Sequence, residues 1–267
     1  MNDQDCFVRL VTALAPWGHQ LVFVGGWAHR LYRLHLNASV PIYQPVATLD
    51  ADVAFADRAR LDGNMKKQLQ DAGFEEQLMG DHRPPVSKYT VGDNDGAGFY
   101  AEFLTPLIGR PSASDGTPLV TLERAGVTAQ RLRYLELLLV SPWNVRLPED
   151  WGEPIELRIP NPVSYIVQKL LIHDDRTANK KAQDILYIHD TIELFGSVID
   201  ELRLLWREQV QQALHERWQK AMRNAIADIF GTPSDTIRSA ALIPQDRNLD
   251  PERMRQMCLA FLEELLD

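Results

Sequence analysis

Asp50 and Asp52 stand two residues apart in TLDADVAF (48–55), where Leu49, Ala51, Val53 and Phe55 alternate with Asp50, Asp52 and Ala54. That alternation is the period of a β-strand. Both carboxylates therefore project from one face, about 7 Å apart, while Leu49, Ala51 and Val53 turn to the other face and into the core. Two carboxylates this close repel unless something positive lies between them, and a hard divalent cation, which takes oxygen ligands, resolves the repulsion. A half-exposed strand carrying two solvated aspartates has the same pattern, so the pair alone does not decide the chemistry. Two other stretches bear on it. VFVGGWA (22–28) is an apolar run followed by Gly25-Gly26 and a helix start; glycines let backbone approach a phosphate, and a helix N-terminus offers free N–H groups to it. In FYAEFLTPL (99–107) a single acid, Glu102, interrupts an apolar strand. Such an acid is costly to bury without a partner, and beside Asp50 it becomes a third oxygen ligand. An ordinary strand–helix turn and an edge-strand glutamate are the plainer readings of these two stretches.

The elements that must position these residues follow from periodicity. Residues 5–15 carry apolar side chains at helical spacing and end at Pro16 and Gly18; 21–24 is a short buried strand; Trp27, Leu31 and Leu34 mark a helix after the glycines. Residues 37–47, with two prolines, form a loop or irregular insertion. Residues 58–72 read as a polar helix stopped by Gly73, and 85–91 and 98–104 as two strands joined by the turn-rich GDNDGA (92–97). Residues 131–140 suit either strand or helix, and 155–159 a strand. Asn161-Pro162 then supplies an N-cap and an N1 proline, and helices follow over 162–175, 178–195, 199–229 and 251–266. The expected fold class is α+β, a mixed β-sheet with flanking helices over residues 1–160 followed by a helical domain over 161–267.

In the helix from Pro162, Lys169, His173 and Arg176 fall at i, i+4 and i+7 and share a face, beside an apolar face of Val163, Ile166 and Leu170. Three basic groups there would suit the charge of a triphosphate, with Asp184 orienting one of the cations or an incoming hydroxyl. A solvated face with an Asp–Lys pair is the plainer alternative.

The chain has 267 residues, 45% of them hydrophobic, with 28 basic against 37 acidic side chains and a net charge of −9. An acidic chain has no global field to gather nucleic acid, which disfavours a long nucleic-acid footprint but leaves room for a local basic strip. Cys6 and Cys258 have no metal-ligand spacing and read as reduced thiols. With no signal pattern and no apolar run of membrane-spanning length, the expected location is cytoplasmic, without a membrane partner.

An apolar strand, Gly-Gly, a helix, D-x-D on a strand and a later acid on a strand together resemble the polymerase-beta-type nucleotidyltransferase superfamily. Gly25 and Gly26 match its first element, Asp50 and Asp52 its second and Glu102 its third. Thr48, two residues before Asp50, is similar to the Thr-x-Asp-hydrophobic-Asp form of the abortive-infection, AbiEii-like toxin branch. NPVSYIVQKLLIHDDRTANKKAQDILYI (161–188) resembles that branch's helical segment, with Lys169, Arg176, Lys181 and Asp184 at matching positions. The similarity runs from about residue 20 to 195. It departs from the pattern in the long stretch between Gly26 and Asp50, in Val46 where an arginine is common, and in Ala51 where a larger aliphatic residue is common.

The resemblance implies transfer of a nucleoside monophosphate from a nucleoside triphosphate to an acceptor hydroxyl. Asp50, Asp52 and Glu102 would hold one or two Mg²⁺ ions and, with Lys169, form the catalytic set. Gly25, Gly26, Thr48, Arg176 and Asp184 would bind the nucleotide. The acceptor, whether an RNA end such as that of tRNA, a protein or a small molecule, is left open. Two other classes also stay open: a nucleotide-binding regulatory protein without turnover, and a non-enzymatic module in which LRLLWREQVQQALHERWQKAM (202–222) forms a surface for a partner protein. In that stretch Trp206, Leu214 and Trp218 read more simply as core.

Overall fold

The computed structural model describes residues 2–80, 85–91, 98–109 and 121–267. The linker GDNDGA lies outside the described residues. The chain forms two compact units, one of residues 2–34 and 47–160, the other of residues 35–46 and 161–267. The fold class is α+β.

In the first unit, α1 (Asp3–Leu14) is opened by a capping box, in which the Asn2 side chain accepts from Asp5 N while the Asp5 side chain accepts from Asn2 N. Its buried Phe7 stacks on Trp27 with ring centroids 3.8 Å apart, and Arg30 pairs with Asp3 at 2.5 Å, fastening α1 to α2 (Gly25–Leu31). The sheet follows from β1 (Val22–Val24), β2 (Asp50–Ala54), β3 (Glu75–Met79), β4 (Val86–Val91), β5 (Phe99–Pro106), β6 (Thr121–Arg124) and β7 (Val127–Leu132), with α3 (Met65–Asp71) between β2 and β3. Its order is β1-β2-β5-β4-β3, and β7 joins the end of β5 and pairs β6. β2 and β5 run parallel, as do β5 and β7, whereas β1–β2, β4–β5, β3–β4 and β6–β7 are antiparallel. A separate ribbon joins β8 (Trp143–Arg146) to β9 (Glu156–Ile159). The central strands bury one face completely: Ala51, Val53, Tyr89, Ala101 and Phe103 are each 0% exposed.

Leu49 departs from its expected place in the core. It precedes β2 and is 46% exposed, its carbonyl accepting from Tyr100 N. The helix expected over 58–72 shortens to α3, because Gly63 takes φ +89 and Asn64 caps the helix by accepting from Lys67 N. The apolar stretch 131–140 divides: β7 ends at Leu132, and a 3₁₀ turn at Leu135–Leu139 sits between left-handed Tyr134 and Ser141.

The second unit is helical: α4 (Pro162–Ile172), α5 (Ala178–Phe195), α6 (Ile199–Leu205), α7 (Gln211–Ala213), α8 (Glu216–Phe230), α9 (Asp235–Ala241) and α10 (Pro251–Leu266). Asn161 caps α4 by accepting from Ser164 N, with Pro162 in the first turn. The helix expected over 199–229 is interrupted. Leu202, Trp206, Val210 and Leu214 are buried at steps of four, wider than the α repeat, and a π turn at Trp206–Val210 keeps them on one side. Leu214 is then extended and α8 starts afresh. Trp218 is half-buried there rather than core.

Residues 35–46 dock on this unit. Ser39 N donates to Leu194 O at 2.7 Å, Tyr43 Oη to Glu193 at 2.5 Å, and Gln44 N to Asp246 at 2.8 Å. No helix among the described residues is long and apolar enough to cross a membrane. Cys6 and Cys258 are buried and unpaired.

Candidate functional site

Register assembles the acids. In the antiparallel pairing of β1 and β2, Val24 lies opposite Asp52; in the parallel pairing of β2 and β5, Asp50 lies opposite Tyr100 and Asp52 opposite Glu102. In β4, Lys88 lies opposite Glu102 and Thr90 opposite Tyr100. Cross-strand partners share a face, so Asp50, Asp52, Tyr100, Glu102, Lys88 and Thr90 line the half-buried side of the sheet whose other side is the core.

The glycine turn packs against this face. Gly25 follows Val24 directly with φ +64, a conformation that L side chains rarely adopt, and a Cβ there would overlap the Asp52 carboxylate. A Cβ on Gly26 would lie 2.9 Å from both Oγ1 and Cγ2 of Thr48. Thr48, 8% exposed, donates its hydroxyl to Asp50 Oδ1. Gly25, Gly26, Thr48, Asp50, Asp52 and Glu102 are thus one neighbourhood in the first unit.

Sequence reasoning missed Lys88, Thr90 and Tyr100 as members of the face. Lys88 Nζ lies 3.7 Å from Glu102 Oε1 and 3.2 Å from the centroid of the Tyr100 ring. Burial pushes the Tyr100 phenol up to about 12, helped by the charges of Asp50, Glu102 and Asp52, so all three carboxylates act on one hydroxyl. The alternation of Ser87, Tyr89 and Val91 with Lys88 and Thr90 was visible in the sequence; the register that sets Lys88 against Glu102 was not.

The donor chemistry of Asp50, Asp52 and Glu102 fits a hard divalent cation, being all carboxylate oxygen and held on adjacent strands. Among the described residues, the set of three ligand-type side chains whose donor atoms all lie within 4.8 Å of one another is His189, Asp190 and Glu193. That set already holds a counter-cation: Arg247 Nη2 donates to both Asp190 oxygens at 2.6 Å and Nη1 to Glu193 at 3.2 Å.

The remaining expected residues cluster within the second unit. Lys169 Nζ donates to Asp184 Oδ1 at 2.6 Å and Arg176 Nε to Asp184 Oδ2 at 3.0 Å. The side chains of Lys169 and Asp184 are 5% and 2% exposed, and Nζ also lies 4.7 Å and 4.8 Å from the ring centroids of Tyr165 and Tyr187. Burial alone would raise the Asp184 carboxyl, but Lys169 and Arg176 outweigh it and hold it below the ordinary aspartate value. The three-cation face expected for Lys169, His173 and Arg176 does not form. α4 ends at Ile172, Arg176 is extended, and the helical spacing is lost before it is reached. Burial and the Lys181 charge lower the His173 pKa.

Among curated proteins none matches the sequence. One similar solved structure is MenT4, a nucleotidyltransferase toxin from Mycobacterium tuberculosis, at 14% identity and a TM-score of 0.35, covering 97% of this chain and 92% of that one. Backbones that overlap so loosely do not establish a shared fold. The family profile described as nucleotidyltransferase matches residues 3–223, a span holding both the acid face and the Lys169–Asp184 cluster. On the strength of that match, the chain belongs to the nucleotidyltransferases.

Proposed function

We propose that the half-buried face of the sheet transfers a nucleoside monophosphate from a nucleoside triphosphate to an acceptor hydroxyl, with Mg²⁺ as cofactor. The observation that carries this reading is the row Val24–Asp52–Glu102, which sets the Gly25 turn against one acid and that acid beside a second. Asp50, Asp52 and Glu102 would hold one or two ions, which when bound activate the acceptor hydroxyl and neutralise the triphosphate as pyrophosphate leaves. Thr48 fixes the rotamer of Asp50 through its hydroxyl, and the close approach of Gly25 limits where the Asp52 carboxylate can go. Backbone N–H groups of Gly25 and Gly26 receive the β- and γ-phosphates. In the second unit, Arg176, whose side chain is 36% exposed, offers the phosphate-binding charge of its cluster, while Lys169 acts through Asp184.

The reading is tested by the double substitution Asp50→Asn with Asp52→Asn. Metal-dependent pyrophosphate release should fall about a thousandfold while circular dichroism stays that of the wild type. Unchanged turnover rejects the assignment, and a wild-type protein that binds Mg-nucleotide without forming product is a regulatory nucleotide-binding protein instead. Incubating cell extract with each α-labelled nucleotide then identifies the acceptor by whether RNA, protein or a small molecule takes up label. The net charge of −9 favours an acceptor with a small footprint.

A further inference from the structure

Among the described residues that line the acid face, Lys88 is the one of unlike charge, and the nucleotidyltransferase motifs do not include it. Its strand is anchored by Ser87, Tyr89 and Val91, buried on the core side, so its backbone is fixed opposite Glu102. Its ammonium is held differently. At 3.7 Å from Glu102 Oε1 the contact is charge attraction, longer than a hydrogen bond, and the Tyr100 ring supports the same group at 3.2 Å. The position is next to the oxygens a metal would need, on a flexible stem whose head can leave without moving the strand.

We propose that Lys88 is the resident counter-cation of the acid face: it occupies Glu102 in the metal-free enzyme and competes with divalent metal for that carboxylate. The inference rests on the metal reading of Asp50, Asp52 and Glu102. Without a cation, three carboxylates on one half-buried face repel one another, and Lys88 relieves part of that repulsion. A lysine charge left on Glu102 would oppose a bound metal, so binding requires Lys88 to swing off Glu102. Its charge is then available to the incoming triphosphate, which ties full metal occupancy to the presence of nucleotide.

The experiment is Mn²⁺ titration followed by electron paramagnetic resonance, without nucleotide, on the full chain. Wild type, Lys88→Met, Lys88→Arg and the Asp50→Asn/Asp52→Asn protein are compared. Lys88→Met should bind Mn²⁺ about tenfold more tightly than wild type, and Lys88→Arg, which keeps the charge, should stay close to wild type. Thermal melting gives a second readout: the stability lost in Lys88→Met under EDTA should be recovered at saturating Mn²⁺. Equal or weaker Mn²⁺ affinity in Lys88→Met overturns the proposal. If wild-type protein shows no Mn²⁺ site that depends on Asp50 and Asp52, the metal reading fails first, and that outcome is distinct from an intact site indifferent to Lys88.

Discussion

Gly25 shows what a single residue contributes to the account. Its φ of +64 disfavours any side chain, and an added Cβ would run into the Asp52 carboxylate. Gly25→Ala should therefore destabilise the protein by about 1–2 kcal/mol for the left-handed backbone alone and lower pyrophosphate release by more than tenfold, because Asp52 must move. Urea denaturation and a turnover assay measure the two effects; a stable variant with wild-type turnover would show that the position of Asp52 does not matter. The glycine pair was legible in the sequence as a turn. What it presses against was not, since the approach of Gly25 to Asp52 depends on the antiparallel register of Val24 with Asp52. Glu102 was legible as an acid interrupting an apolar strand. Lys88 was passed over because a lysine alternating with buried residues looks like any solvated strand position.

At the scale of elements, periodicity served where one face is buried and failed where none is. β2, β4 and β5 bury alternate residues and were readable. β3 has exposed or half-buried side chains throughout, as does β6, so neither offers an alternation to read. The break between α7 and α8 was hidden because buried residues at steps of four continue through the π turn. The pairing of α4 with α5 yields a prediction that sequence spacing alone could not. Asp184 joins Lys169 on α4 to Arg176 across the connecting turn, so Asp184→Ala leaves a buried lysine without its counter-charge and should cost about 3–5 kcal/mol. The pH dependence has a definite sign. The folded-state pKa of Asp184 is depressed, so its stabilising contribution is present above the unfolded aspartate value, about 3.9, and is lost as pH falls through the folded value. Acid titration of stability should therefore fall less steeply in Asp184→Asn than in wild type below that unfolded value; parallel curves would mean that the cluster is not coupled to folding.

At the scale of the whole chain, segment 35–46 explains why the stretch between the glycine turn and the acid pair is long: it leaves the first unit and becomes part of the second, where Tyr43 meets Glu193 and Arg247. The prolines made it legible as an insertion, but its destination depends on hydrogen bonds to residues some 150 to 200 positions away in sequence, such as Leu194 and Asp246. The family match places the chain among the nucleotidyltransferases; the central proposal is that Asp50, Asp52 and Glu102 are where the metal sits. Anomalous diffraction from crystals holding Mn²⁺ and a non-hydrolysable nucleoside triphosphate tests it most directly. An anomalous peak is expected at ligand distance from Asp50 and Asp52, with Glu102 turned toward it and Lys88 withdrawn. A peak beside His189, Asp190 and Glu193 with none on the sheet would contradict it.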